Sequence, residues 1–299
     1  MIDKQKRPQN KSNRKKKRAK AQANLWLYGR HAVAAAVTNP ERKILRLIAT
    51  KNARDWLQSQ AFIEQPILDS TEEASPQEID NILQAFNLNR SNGTSRGTTK
   101  PDIAHQGLVA QVEELPARPV SQLCHNPETN DIVLVLDQIT DPQNIGAIFR
   151  SAAAFGARCI ITQDRRTPPF SGALAKAAAG AIEHIPCARV VNIARALDEL
   201  KQLGYYCAGL MGEGREDIGK IPSDCPVVIV LGAEGTGLRA LVKEKCDALY
   251  RIPISEKVES LNVSTAAAIV SFSLRAQQSV HRSSRDATVS ISADHSNIR

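Results

Sequence analysis

Between residues 131 and 254 the chain alternates short apolar runs with stretches of helical pattern. IVLVL (132–136), RCIIT (158–162), YYCAGL (205–210), VVIVLG (227–232) and LYRIPI (249–254) read as strands, with helices between them, one of them over 192–203. Runs that are apolar at every position fit strands covered on both faces, and helical crossovers are what parallel strands need. The rhythm therefore predicts an α/β fold built on a mostly parallel sheet. A last helix is expected from about Leu261 to Gln278, with a flexible C-terminus at 281–299.

The N-terminal part reads differently. Residues 25–113 mix helix and strand patterns: YGRHAVAAAV (28–37) as a helix, ILRLIA (44–49) and GLVAQV (107–112) as strands. Ser75 and Glu78 have capping-box spacing ahead of a helix through about Phe86. A turn-rich loop is expected at 87–102, and the prolines of ELPARPVSQL mark a linker over 114–130. The second domain then spans 131–280.

Charge separates a tail from this body. Net charge is +8, but residues 1–20 hold 10 Lys/Arg against the single acid Asp3, while the other 279 residues hold 29 basic and 30 acidic side chains. A protein that coats nucleic acid with a uniformly basic surface is excluded, and residues 1–23 are expected to be a disordered basic tail. No apolar run approaches the roughly 18 residues of a bilayer span. LWLY (25–28) is cut off by Gly29, Arg30 and His31, so neither a membrane protein nor a secretory signal is expected. The six cysteines form no C-x-x-C pair, which argues for packed, reduced thiols and against a metal or redox motif. The reducing compartment this implies is the cytoplasm.

In open parallel sheets, ligands lie beyond the carboxyl ends of the strands. Three such ends carry polar residues. In LDQITDPQNIGAIFRSAAAFGA (136–157), Asp141 then Pro142 start a helix, with Asn144 in its first turn and Arg150 further along. In VVIVLGAEGTGL (227–238), Glu234 sits among Gly232, Gly235 and Gly237. That spacing is neither a dinucleotide fingerprint nor a phosphate-binding P-loop. In IPISEKVESLNVSTAAAIVSF (252–272), Ser260, Asn262 and Ser264 crowd a helix start. Singly, these segments also read as a capped helix with a surface arginine, a tight turn, and a helix capped by Ser260. A Rossmann-type cofactor site would need glycines directly after the first strand, and here they come about 95 residues later.

As an ordered set, DPQNIGAIFRSAAAFG, VLGAEGTGL and IPISEKVESLNVSTAAAIV resemble motifs 1, 2 and 3 of the SpoU (TrmH-like) RNA ribose methyltransferases of the SPOUT superfamily. YGRHAV (28–33) and HQGLVAQV (105–112) resemble the two ends of the L30e-like substrate-binding domain that precedes the catalytic domain in many members. The likeness covers about residues 26–278. It implies a small L30e-like α/β domain followed by a parallel-sheet domain tied in a C-terminal trefoil knot. It also implies a homodimer that transfers methyl from S-adenosylmethionine to a ribose 2′-hydroxyl in RNA, without a metal. A guanosine of 23S rRNA is the implied substrate; a tRNA guanosine, or an inactive RNA-binding or ribosome-assembly role, are the alternatives.

Matched position by position, Arg150 is the catalytic arginine, and Asn144, Glu234, Ser260 and Asn262 are its polar companions. Gly232, Ile252 and Leu261 line the cofactor site and Gly209 borders it. A guanidinium releases its proton reluctantly, so Arg150 is expected to bind the phosphate beside the reacting hydroxyl rather than act as a simple base. His31 and His105 are read as packed or capping residues.

Overall fold

The computed structural model describes residues 24–90 and 104–294. The basic tail over 1–23 and most of the loop expected at 87–102 lie outside the described residues. The described residues form two compact units, one drawn from residues 24–116 with 169–183 and one from residues 117–168 with 184–294.

The first unit holds β1 (Asn24–Tyr28), α1 (Arg30–Thr38), β2 (Ile44–Ala49), α2 (Lys51–Gln58), α3 (Gln65–Asp69), β3 (Glu72–Glu73), α4 (Pro76–Arg90) and β4 (Leu108–Glu113). Its strands run in the order β1-β4-β2-β3. β4 is antiparallel to both β1 and β2, and β3 is parallel to β2. The expected capping box is formed: the Ser75 N–H donates to Glu78 Oε2 (2.8 Å) and the Glu78 N–H to Ser75 Oγ (3.3 Å). α4 runs on to Arg90, beyond the expected end at Phe86.

The second unit begins inside the expected linker. A short helix, α5 (Val120–Leu123), buries Val120, Leu123 and Cys124 against the core of the unit. Arg158 fastens this segment by donating to Leu123 O (2.7 Å) and to the carboxylate of Asp131, which also accepts from the Tyr205 hydroxyl (3.1 Å).

Then follow β5 (Ile132–Asp137), α6 (Pro142–Ala154), β6 (Cys159–Gln163), α7 (Ala173–Ala178), β7 (Cys187–Val190), α8 (Ile193–Gln202), β8 (Tyr206–Leu210), β9 (Glu216–Asp217), β10 (Val227–Gly232), α9 (Ala240–Lys245), β11 (Ala248–Arg251) and α10 (Val263–Asp294). α7 lies in 169–183, which falls within the expected second domain and packs with the first unit. Strand order in the second unit is β7-β6-β5-β10-β8-β11-β9, and each pairing is parallel. Ile132 to Leu136 and Val227 to Leu231 are all buried, as strands covered on both faces must be.

Two boundaries differ from the sequence reading. β11 stops at Arg251, because Pro253 has no N–H to give to a ladder. α10 starts at Val263 and continues to Asp294, past the expected end at Gln278. No glycine or proline lies between Val263 and Arg299, so nothing in the sequence breaks the helix where its polar residues begin.

The cysteines are free. Burial pushes the thiols of Cys187, Cys207 and Cys246 up to about 12, so they stay protonated and inert near neutral pH. Among the described residues no helix is long and apolar enough to cross a membrane.

Candidate active site

The carboxyl ends of β5, β10 and β11 lead into the three polar segments, and local sequence fixes each of them. At the start of α6 the Asp141 carboxylate accepts from the N–H groups of Gln143 (3.1 Å) and Asn144 (3.4 Å), with Pro142 pre-set for the first turn. At the start of α10 the cap is Asn262. Its Oδ1 accepts from the N–H groups of Ser264 (2.9 Å) and Thr265 (3.4 Å), and its carbonyl accepts from Ala266 (2.9 Å).

The turn after β10 folds back on itself. Ala233 bridges Gly237, whose N–H donates to Ala233 O (2.9 Å). A Cβ on Gly232 would lie 2.3 Å from the Gly237 carbonyl carbon and 2.5 Å from Leu238 N, so no side chain fits there. Gly237 itself takes a φ of +63°, open to glycine at no steric cost.

At the tip of this turn, Glu234 joins all three segments. Its Oε1 accepts from Asn144 Nδ2 (3.1 Å), Asn262 Nδ2 (2.9 Å) and the Val263 N–H (3.3 Å). Asn262 Nδ2 also donates to Asn144 Oδ1 (2.8 Å). The amide orientations are forced. Because Asn262 Oδ1 serves the first turn of α10, only its NH2 group can face the carboxylate. The N-termini of α6 and α10 both meet at Glu234, and their dipoles favour a negative charge there.

Not every expected residue joins this cluster. Arg150 lies six residues beyond Asn144, about 9 Å further along the α6 axis. It is exposed and makes no hydrogen bond or ion pair among the described residues. Ser260 is exposed two residues before the cap, and Asn262 performs the capping that Ser260 could have provided. Ile252 and Leu261 are half-buried where β11 leads into α10. Gly209 is packed, since a Cβ there would meet Leu249 Cδ2 at 2.7 Å and Cys246 Sγ at 2.9 Å. A side chain there would have to push aside the ends of Leu249, Leu238 and Cys246.

One pair at this edge was missed by the sequence reading. Asp137, the last residue of β5, is 0% exposed and forms an ion pair with Arg239 just past the glycine turn. Its only sequence signal was a carboxylate ending an otherwise apolar run.

The edge therefore offers a fixed carboxylate, two amides, bare glycine backbone and half-exposed apolar side chains. Open space adjoins the turn, since a Cβ on Gly237 would meet nothing within 4 Å. Such a surface suits a ligand held through backbone and apolar contacts. Among the described residues no His, Cys, Asp and Glu cluster could hold a metal ion.

Residues 131–272 match the SpoU rRNA Methylase family model. Over 255 residues the chain is 36% identical to the 23S rRNA (guanosine-2'-O-)-methyltransferase RlmB of Ralstonia nicotianae, covering 85% of this chain and 96% of the relative. Among solved structures, the SpoU methyltransferase AviRb from Streptomyces viridochromogenes shares the fold, with a TM-score of 0.67, 20% identity and coverage of 92% of this chain and 94% of that one. The AdoMet-bound rRNA methyltransferase from Sinorhizobium meliloti superposes with a TM-score of 0.66, 24% identity and coverage of 88% and 90%. A match to the family over the segment that carries all three loops, and to a relative over nearly its whole length, means that this chain belongs to the SpoU rRNA methylase family.

Proposed function

We propose that the protein transfers a methyl group from S-adenosylmethionine to a ribose 2′-hydroxyl in RNA, and that the target is a guanosine of 23S rRNA. The observation that carries this reading is the junction at Glu234, where three separate segments meet at the carboxyl edge of a parallel sheet. Relatives named as 23S rRNA guanosine methyltransferases support the choice of RNA.

The residues present fit this cofactor. The bare backbone beside Gly232 and Gly237, with half-buried Ile252 and Leu261, would hold its adenosine and methionine parts without a large charged ligand set. When bound, S-adenosylmethionine supplies an electrophilic methyl on a sulfonium, with a neutral thioether as leaving group.

The protein's own task is then placement. Asn144 and Asn262, locked by their hydrogen bonds to Glu234, fix the starts of α6 and α10 and so the walls of the site. Arg150, exposed and unengaged among the described residues, binds the phosphate next to the target ribose. That contact would hold the 2′-oxygen in line with the methyl, and its charge would make the hydroxyl easier to deprotonate, with the proton passing to solvent water. Orientation of this kind can supply a large share of the rate.

Three further elements of the reading go with it. The parallel-sheet domain carries the C-terminal trefoil knot, a reading with which the close approach of Gly214 to the Tyr250 backbone, 2.3 Å for a Cβ there, is compatible. The protein acts as a cytoplasmic homodimer, with Phe272 of α10, 60% exposed and edge-on to Phe155 at 5.8 Å, on the surface that pairs. The first unit, as an L30e-like domain, holds the RNA, aided by the contact of Arg30 and His31 with Trp56.

The test is to incubate the full chain with labelled S-adenosylmethionine and unmethylated 23S rRNA or tRNA, then digest with nuclease. Labelled 2′-O-methylguanosine from 23S rRNA is the expected product. Label in tRNA alone would move the substrate, and none in either RNA would overturn the reading.

The tail has a separate role in this proposal. With 10 Lys/Arg in residues 1–20, it adds phosphate contacts to RNA capture. Each contact contributes about 0.7 to 0.9 to the slope of log affinity against log salt. Removing residues 1–20 is expected to weaken RNA binding at low salt and to flatten that slope. A slope unchanged in filter-binding titrations would show that the tail stays off the RNA.

A further inference from the structure

We infer that Asp137 and Arg239 are positioning residues for methyl transfer: together they clamp the glycine turn that presents Glu234. The inference rests on the proposed function for its kinetic consequence and on geometry for its cause.

Asp137 and Gly232 are paired residues at the ends of neighbouring parallel strands, β5 and β10. From that point the two chains diverge, β5 toward the start of α6 and β10 into the turn 233–238. The Asp137 carboxylate spans the gap. Its Oδ2 accepts from the Arg239 main-chain N–H (3.1 Å) and its Oδ1 from Arg239 Nε (2.8 Å), with the Nη2 nitrogen on the same oxygen. The turn is thus held at both ends, by strand pairing at Gly232 and by the carboxylate at Arg239.

The pair has the chemistry of a clamp. The Asp137 side chain is 0% exposed, whereas that of Arg239 is 38% exposed. A buried carboxylate needs its donors, so the turn is drawn in until Arg239 meets it. The planar guanidinium gives Nε and Nη2 in a fixed geometry, while the backbone N–H supplies a third donor. A lysine would offer charge without that geometry. Thr236 and Gly237, by contrast, bond within the turn, to Glu234 O and Ala233 O.

Glu234 feels the result. Its Oε1 must meet donors from α6 and α10 at once, within 3.3 Å of each. A shift of the turn by about 1 Å would break that arrangement, and errors of that size cost on the order of a hundredfold in rate. Asp137 also starts the segment that leads to Asp141 and Asn144. One carboxylate therefore sets the spacing between the first and second of the three converging loops.

The experiment compares Arg239→Ala and Arg239→Lys with wild type in the full chain. It reads kcat and KM for methyl transfer, cofactor affinity, and amide hydrogen exchange by mass spectrometry. For Arg239→Ala, kcat is expected to fall roughly 10- to 100-fold, in line with a small misplacement. KM for RNA should stay within about threefold, whereas cofactor affinity should fall, because the loosened turn carries the Gly237 backbone of the proposed cofactor site. Exchange should rise over 233–239 and not over β6 at 159–163, which separates local release from general loosening. Arg239→Lys should recover part of kcat.

A kcat within twofold of wild type, or a fall in kcat with unchanged exchange over 233–239, would overturn the inference. Should wild type fail to methylate either RNA, the proposed function falls on its own. The exchange comparison would still decide whether Arg239 clamps the turn.

Discussion

Arg150→Ala is expected to lower methyl transfer by at least about a hundredfold, and up to about a thousandfold, the range seen when one donor aimed at developing charge is removed. Cofactor affinity should remain close to wild type. Arg150 is exposed on α6, stands apart from the Glu234 junction, and makes no hydrogen bond or ion pair among the described residues. Its removal thus takes away no visible part of the fold. An arginine kept out of local networks has its full donor set free for a phosphate, and the two-pronged guanidinium fits phosphate oxygens geometrically. Arg150→Lys should fall between, since an ammonium keeps the attraction but not the fixed fork. Single-turnover rates at saturating RNA, alongside calorimetric titration with S-adenosylmethionine, check both parts. Full turnover in Arg150→Ala would remove the residue from the mechanism, and lost cofactor affinity would move it to the cofactor site.

The parallel sheet was legible through its central strands, β5 and β10, which are apolar along almost their whole length. VVIVLG coincides with β10, and IVLVL with β5 up to its last residue, Asp137. β1 was not legible, because LWLY is short and adjoins a basic tail that carries no periodic pattern. The prolines of 114–123 signalled a linker, yet Val120 and Leu123 are buried, since proline restricts the backbone without saying where apolar neighbours go. The extension of α10 to Asp294 shows the converse: polar composition alone does not end a helix.

At the site, residue types and helix starts could be read from local rules, but contacts could not. Asn144 meets Glu234 across 90 positions and Asn262 across 118, distances that no local pattern spans. Capping preference allowed both Ser260 and Asn262, and the choice fell to Asn262, whose NH2 group also serves Glu234. Asp137 was passed over because a strand-end carboxylate reads as solvent-facing until its partner, 102 positions away, is known.

The Glu234 junction leads to the second large effect. Glu234→Ala removes the shared acceptor of Asn144, Asn262 and Val263. Glu234 is exposed, so water can reach the freed donors, and the loss in stability should be only about 1 kcal/mol. For a domain of this size that is a shift of roughly 2–4 °C in melting temperature. The loss in kcat should be far larger, on the order of a hundredfold or more, because the starts of α6 and α10 lose their common reference and the site is no longer pre-organised.

Asn262→Ala should cost about as much, since it removes the second contact with Asn144 together with the cap of α10. The decisive comparison is the double variant. If Glu234 and Asn262 act as one unit, the first substitution already releases what the second would, so the double variant should be little slower than either single one. If their effects instead multiply, each residue makes its own contact with substrate or cofactor. The junction would then be a crowding of independent groups rather than the frame of the site.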